Sequence, residues 1–316
     1  MRQHPLRSKR TGSALLTALF IMTLVAIAAT AMSVRLQLDI YRTQLLITHD
    51  KLYLASQSVM FWALDELNNK NNKFTKVTTQ GMVLNYPQNI KNIYKGVTLN
   101  GGLYDLQARF NLNNMLNKKL LASFGTLVNR AYPAANDNQK IAMTYALQDW
   151  LSAYDLARGK DSFTDYYLAQ KPAYYPSHQL MASASELRLV KDVSAKLNQA
   201  MQPFITALPE ATPININTAS QTVLMTLGSG LNSEQVNELL EVRGAKGIRN
   251  VAKLRPILQK LNIPQEQITI ESHYFLSVAY AKSDDLELIV YALLKRSSNR
   301  KGVLSVSVLR QSINSW

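Results

Sequence analysis

The chain of 316 residues contains no cysteine. Disulfide scaffolds, cysteine-ligated zinc or iron–sulfur centres and thiol nucleophiles are therefore excluded. Histidine is also rare, and the four histidines are scattered along the sequence at His4, His49, His178 and His273. This spacing does not indicate a histidine-rich metal site. Because GxSxG, HExxH and GxxxxGKS/T motifs are missing as well, we predict that the protein is not an enzyme.

Acidic residues are scarce compared with basic ones. The chain has 35 lysines and arginines against 21 aspartates and glutamates, which gives a formal net charge of +14. Such an excess favours nucleic acid, an anionic membrane surface or an acidic protein as a partner, and composition does not choose among these three. Since 47% of the residues are hydrophobic, the chain can form a packed core, and wholesale disorder is not expected.

Charge of either sign is missing from Ser13 to Val34. As a helix these 22 residues would extend about 33 Å, which is enough to cross a bilayer core. Residues 1–12 carry four basic residues and no acid, which predicts an orientation with the N-terminus inside and the rest of the chain outside. Two alternatives stay open on these residues alone. One is a secretory signal cleaved after Ala29-Thr30-Ala31, and the other is a plain uncleaved anchor.

The junction at Gly12 favours a third interpretation. The basic leader directly abuts the apolar run, an arrangement that resembles a type IV prepilin leader. That resemblance implies cleavage by prepilin peptidase between Gly12 and Ser13 and methylation of the new N-terminus at Ser13. Glycine suits such a site, since a residue without Cβ extends at little steric cost. Most pilins carry glutamate five residues after the cut, whereas this chain has Thr17.

The periodicity beyond the membrane predicts a pilin-like α+β fold. Leucine or valine recurs every seven residues from Leu38 to Val59, and no proline or glycine interrupts the chain before Asn68, so we expect one helix of about 80 Å. Strand-like residues follow, with Asn100-Gly101-Gly102 as a predicted hairpin turn. The predicted segments are a leader (1–12), a transmembrane helix (13–34), a pilin-like helix with first strands (35–113), a helical insertion (114–270) and returning antiparallel strands (271–316).

Residues 214–260 are predicted to form a module like a helix–hairpin–helix. Thr218 is expected to cap its first helix, the sequence Gly228-Ser229-Gly230-Leu231 to turn the chain, and a second helix to begin near Ser233. Glycine turns of this kind often offer backbone N–H groups to DNA phosphates. Six basic residues and no acid lie between Arg243 and Lys260. A membrane-anchored protein for DNA binding or uptake is therefore an alternative to a module that only packs helices.

Several blocks in order favour the packing role. Asp149-Trp150, Tyr166-Tyr167, the segment from Pro172 to Pro176 and residues 186–190 follow the order seen in the K-type minor pseudopilins of type II secretion systems. The resemblance covers nearly the full chain. It includes the absence of glutamate at Thr17, since K-type subunits are the pseudopilins that lack it.

This resemblance implies a function, a location and partners. A K-type subunit is an inner-membrane protein at the tip of the pseudopilus, where it initiates or caps assembly for the export of folded proteins. It forms a tip complex with the minor pseudopilins I and J, followed by the H subunit and the major G subunit. Nucleic acid is then an unlikely partner, and no cofactor is required.

The resemblance also raises the question of calcium. Relatives are rich in acidic residues after the Asp-Trp pair, and calcium prefers such hard oxygen ligands. The candidate ligands in this chain are Asp149, Asp155, Asp161 and Asp165. Lys160 lies beside them, and four spread carboxylates are more often simply solvated, so a calcium site here is a weaker prediction.

Overall fold

The computed structural model describes residues 13–78, 81–85, 94–154, 163–284, 286–299 and 301–316. The chain divides into two compact units, Met1–Leu52 and Tyr53–Trp316. The predicted leader, with Gly12, lies outside the described residues, as do Asp155 and Asp161.

Helix α1 extends over 56 residues, from Ser13 to Asn68. The absence of proline and glycine from this stretch allows an uninterrupted helix, and the prediction of one long helix is confirmed. In the first unit most of its large apolar side chains are exposed, among them Leu38, although Leu52 at the end of this unit is buried. In the second unit Val59 is fully buried. The heptad-spaced residues therefore do not form one uniformly buried stripe.

Five antiparallel strands form the sheet of the second unit, in the order β1-β2-β7-β8-β9. Their bounds are β1 Met82–Asn85, β2 Thr98–Asp105, β7 Tyr274–Ser283, β8 Leu286–Ser298 and β9 Leu304–Ile313. The three last strands confirm the predicted return of strand structure after residue 271. The end of α1 packs on one face of this sheet, where Ala63 and Leu67 join a cluster with Phe275.

The predicted hairpin at Asn100-Gly101-Gly102 is wrong. These residues continue straight through β2, and all eight residues of that strand pair with β7. A Cβ on Gly102 would lie 2.8 Å from the Met82 methyl carbon of β1, so this glycine permits the close approach of a neighbouring side chain. Pairing with β7 on one side and packing by Met82 on the other override the local turn signal.

The segment between β2 and β7 forms a helical body, hereafter the insert. Its α-helices are α2 Leu121–Ala131, α3 Asp137–Leu151, α4 Thr164–Leu168, α5 Ala195–Met201, α6 Gln221–Leu224, α7 Ser233–Arg243 and α8 Arg255–Lys260. Two short parallel strand pairs brace it, β3 (Phe110–Asn111) with β4 (Ile205–Thr206) and β5 (Ile214–Asn215) with β6 (Ile268–Thr269). Since Phe110 and Leu112 already belong to its core, the insert begins before the predicted boundary at residue 114.

Local capping explains where the main helices of the insert begin. The Asn136 side chain accepts a hydrogen bond from the Gln139 N–H at the start of α3, and Ser194 does the same for α5. At α7 the side chains of Asn232 and Gln235 form a reciprocal capping box. The second helix of the predicted module therefore begins at Ser233, as expected.

Candidate functional site

The insert joins the sheet at one end of two neighbouring strands. Asp105, the last residue of β2, is paired in register with Phe275, the second residue of β7. The chain therefore leaves and re-enters the sheet at the same place. The last turn of α1 is bound to this end as well, since the buried Arg296 of β8 donates from Nε to the Leu67 carbonyl at 2.8 Å.

A polar network at this position, hereafter the joint, consists of Asp105, Gln107, Asn215, Thr218 and Ser272. The buried Asp105 carboxylate accepts hydrogen bonds from the Gln107 N–H at 2.8 Å, the Asn215 amide at 3.0 Å, and the Thr218 and Ser272 hydroxyls at 2.5 and 2.7 Å. Burial raises the pKa of Asp105, although these four donors act in the opposite direction. Gln107 adds two links, accepting from the His273 N–H and donating to the Pro213 carbonyl.

Thr218 thus has a different role from the predicted one. The cap of α6 is Ser220, whose hydroxyl accepts from the Val223 N–H. The Thr218 hydroxyl instead donates to a carboxylate 113 residues away in the chain. Sequence patterns did not reveal the joint, because its members come from three separate segments. The one available signal was an aspartate inside an otherwise apolar strand end, Leu103-Tyr104-Asp105-Leu106.

The N-terminal end of α1 carries the residues that the leader motif singled out. Ser13 is the first helical residue, and no acid lies in the first turn. The Thr17 hydroxyl donates to the carbonyls of Ser13 at 3.1 Å and Ala14 at 3.0 Å, so it is satisfied within its own helix. An 18-residue window of α1 reaches a mean hydropathy of 2.3, and by length and composition α1 can cross a membrane.

The predicted glycine turn exists, but three of its four N–H groups already have acceptors within the protein. The Gly228 N–H donates to the Gln267 side chain at 2.7 Å, the Gly230 N–H to the Leu227 carbonyl, and the Leu231 N–H to the Met225 carbonyl. A Cβ on Gly230 would lie 2.9 Å from the Thr126 hydroxyl of α2, so the turn is packed against that helix. These contacts remove the phosphate cradle on which the DNA-binding alternative depends.

The basic residues after this turn are partly engaged too. One guanidinium nitrogen of Arg243 donates to the carbonyls of Ile216 at 3.2 Å and Ala219 at 3.0 Å. Lys260 pairs with Glu238 at 2.5 Å across the surface of the insert. Both contacts therefore join residues within the insert.

The predicted calcium ligands are described only in part. Asp149 lies in the last turn of α3 and Asp165 in α4, while Asp155 and Asp161 fall outside the described residues. Within the described ranges no group of three or more histidines, aspartates and glutamates lies together. Calcium takes about six to eight oxygen ligands, so Asp149 and Asp165 alone do not form a site.

Aromatic side chains form a compact cluster beside Asp149. Tyr167 is fully buried, with its ring centroid 5.4 Å from those of both Trp150 and Tyr174 and 5.3 Å from that of Tyr166. Its hydroxyl accepts from the Lys191 N–H, and burial strongly raises its pKa. The tyrosines that carried the family resemblance therefore pack the insert.

Two family models match consecutive parts of the chain, residues 108–210 and 214–271, and both describe protein K of the type II secretion system. Together they cover just over half of the chain. The chain belongs to the type II secretion system protein K family. Its function is accordingly that of a minor pseudopilin in type II secretion, and its apolar N-terminal helix makes it a membrane-anchored, single-pass protein.

Full-length relatives in this family share about a quarter of their residues with the chain. Type II secretion system protein K of Pseudomonas aeruginosa is 25% identical over 307 residues, which cover 94% of this chain and 92% of the relative. The Klebsiella pneumoniae protein is 25% identical over an alignment of 328 residues, which covers 94% of this chain and 95% of the relative. The Aeromonas hydrophila protein is 29% identical over 224 residues.

A solved structure agrees with the fold. It is a chain in the crystal structure of the GspK-GspI-GspJ complex from enterotoxigenic Escherichia coli, with a TM-score of 0.68 and 22% identity. The superposition covers 87% of this chain and all of that chain. The pilin-like α+β fold with a large helical insertion is thereby confirmed.

Proposed function

We propose that this protein K occupies the tip of the pseudopilus, in a complex with minor pseudopilins of the I and J types. The similar solved chain crystallised with GspI and GspJ, which supports the choice of partners. Beneath this complex, the H subunit and the major G subunit continue the filament. The tip subunit initiates or caps assembly and thereby takes part in the export of folded proteins.

The placement of the insert is the observation that carries this proposal. The insert emerges from the sheet end to which the last turn of α1 is bound. A helical body of this size at one end of the sheet would obstruct another subunit from stacking on that end. This suits a subunit whose insert lies at the outer end of the filament.

The residue at position 17 supports the same location. In a growing filament, the usual glutamate is thought to neutralise the N-terminal ammonium of a neighbouring subunit inside the membrane, where unpaired charges are costly. A tip subunit has no neighbour above it to neutralise. The Thr17 hydroxyl instead donates hydrogen bonds to the carbonyls of Ser13 and Ala14 in its own helix.

We expect Thr17→Glu to reduce tip-complex formation and secretion. The new carboxylate would lie in the bilayer without an ammonium partner, at a cost of about 3 kcal/mol for a helix centre and less near its end. The measurement is the yield of I and J subunits that co-purify with the full-length variant, together with the amount of exported protein. Thr17→Gln is the matched control, because it has a similar size and no charge.

If Thr17→Glu gave wild-type yields and inserted stably in the membrane, the missing glutamate would not be what assigns this subunit to the tip. A loss in both Thr17→Glu and Thr17→Gln would show that the position is sensitive to side-chain size, and the charge argument would fail.

The leader and orientation belong to the same proposal. Prepilin peptidase cuts between Gly12 and Ser13 on the cytoplasmic side, Ser13 is methylated, and residues 13–34 anchor the chain in the inner membrane with the ectodomain in the periplasm. The basic residues of the leader and the uncharged run after Gly12 support this orientation. The protein acts by assembly, without a catalytic activity of its own.

We propose separately that the fold requires no cofactor and that calcium, where it binds, is held by Asp149, Asp155, Asp161 and Asp165. The nearness of α3 and α4 to the same aromatic cluster supports a common location for Asp149 and Asp165. The test compares the melting temperature of the full-length protein in excess calcium and in chelator, with Asp165→Asn as the variant. Calcium binding predicts a rise that Asp165→Asn diminishes, and identical values would contradict it.

A further inference from the structure

A cavity of about 360 Å³ lies between the end of β2 and the insert. Ala108, Phe204 and Leu240 give it apolar walls, and the charged residues Asp105, Arg109 and Arg243 line it as well. Its size falls in the range of small-ligand pockets, which are mostly apolar with a few placed polar groups.

Arg109 is the unusual residue of this cavity. Its side chain is largely withdrawn from solvent, and among the described residues no hydrogen-bond acceptor or ion-pair partner contacts its guanidinium. Asp105 lines the same cavity and attracts this guanidinium, but its carboxylate already accepts four hydrogen bonds in the joint. Burial lowers the pKa of Arg109, although the charges of Tyr104 and Asp105 act in the opposite direction. A desolvated cation that forms no direct ion pair is energetically unfavourable.

Arg243 places a second positive charge on the same cavity. Its Nη1 atom is fixed by the carbonyls of Ile216 and Ala219. Burial lowers the pKa of this guanidinium too, and no carboxylate of the described chain pairs with it. Arg109 and Arg243 thus bring two positive charges to this cavity, against the single carboxylate of Asp105, which lines it as well.

We propose that this cavity binds a carboxylate carried on a short apolar group, with Arg109 as its principal charge partner. A guanidinium presents parallel N–H donors that match both oxygens of a carboxylate. The apolar walls provide room for the attached carbon chain. The carboxylate belongs either to a small organic acid or to an acidic side chain of a protein segment, and the recognition chemistry is the same in both cases.

The test uses full-length protein in detergent and follows its melting temperature. Glutarate and butyrate are the small-acid probes, butyramide is the neutral analogue, and a short peptide with blocked ends and one glutamate represents a protein segment. We expect the acids or the peptide to raise the melting temperature with saturation, and butyramide or chloride at equal ionic strength to leave it unchanged. A response to the peptide alone would assign the carboxylate to a protein segment.

Substitution of Arg109 separates binding from a general salt effect. Arg109→Gln should weaken the apparent affinity for the active probe by about tenfold or more, because a charged hydrogen-bond pair is lost. Its melting temperature without probe should stay near that of the wild type, since the guanidinium makes no hydrogen bond within the described residues. Arg188→Gln is the matched control, as Arg188 is an exposed arginine elsewhere on the insert.

A second variant covers the case in which Arg109→Gln does not fold. Gln221 lines the cavity and is exposed, so Gln221→Trp should fill the space without disturbing the core, and it should abolish the response. The proposal is overturned if no carboxylate probe gives a saturable shift. It is also overturned if folded Arg109→Gln or Gln221→Trp responds like the wild type.

Discussion

Asp105→Ala should lower the free energy of unfolding of the second unit by about 3–5 kcal/mol, the range for breaking a buried charged network. The substitution leaves the Gln107 N–H, the Asn215 amide and the two hydroxyls of the joint without their acceptor. Each buried donor that loses its partner contributes a desolvation penalty. Urea unfolding of the full-length protein, followed by tryptophan fluorescence, measures the loss.

Asp65→Ala is the control for this experiment. Asp65 lies on α1 in the same unit and is exposed, so its replacement should change stability by no more than about 0.5 kcal/mol. If Asp105→Ala were as stable as Asp65→Ala, the joint would not be what fixes the insert to the sheet.

Asp105→Asn tests the ionisation of the same residue. Because burial raises the pKa of Asp105 in the folded state, the folded protein holds this proton more tightly than the unfolded chain. Its ionisation therefore disfavours folding, and this penalty diminishes as the pH falls from above the raised pKa towards the ordinary aspartate value. Acidification through that window should increase the stability of the wild type relative to Asp105→Asn. A pH-independent difference would contradict the assigned cause.

The second large effect is expected for Gly12→Val. This substitution should block removal of the leader and abolish incorporation into the pseudopilus. A β-branched side chain at the junction opposes the extended conformation that glycine adopts easily. Mass spectrometry of the purified protein should show a chain that retains residues 1–12, whereas the wild type should begin at a methylated Ser13. The melting temperature of the ectodomain should not change.

Gly12→Ala serves as the graded control, because it adds one carbon atom, and it should be processed at least partly. Normal maturation of Gly12→Val would refute the prepilin assignment. A wild-type chain beginning at Met32 would instead indicate signal peptidase, and with it a protein released from the membrane.

Local patterns were sufficient where structure depends on neighbouring residues. The run without glycine or proline predicted α1, and alternating apolar residues predicted β7 to β9. The Asn100-Gly101-Gly102 turn failed because the structure there depends on Met82 and on pairing with β7, which lie far away in sequence. A local turn signal is outweighed when a strand has partners on both sides.

The candidate sites show the same limit. The turn from Gly228 to Leu231 was predicted correctly as a turn, but its capacity to bind phosphate depended on Gln267, which no local pattern connects with it. Likewise, the cavity around Arg109 forms only when the end of β2 meets residues of the insert more than ninety positions later in the sequence. Contacts of this kind are set by the fold as a whole.

Labelling of assembled pseudopili tests the tip location most directly. A small epitope placed after Lys171, in an exposed part of the insert, can be detected by immunogold electron microscopy on filaments assembled with all pseudopilins present. Our account predicts gold at one end of each filament and none along its sides. Gold distributed along the shaft would contradict it, since a subunit with this insert and with Thr17 would then be repeated within the filament.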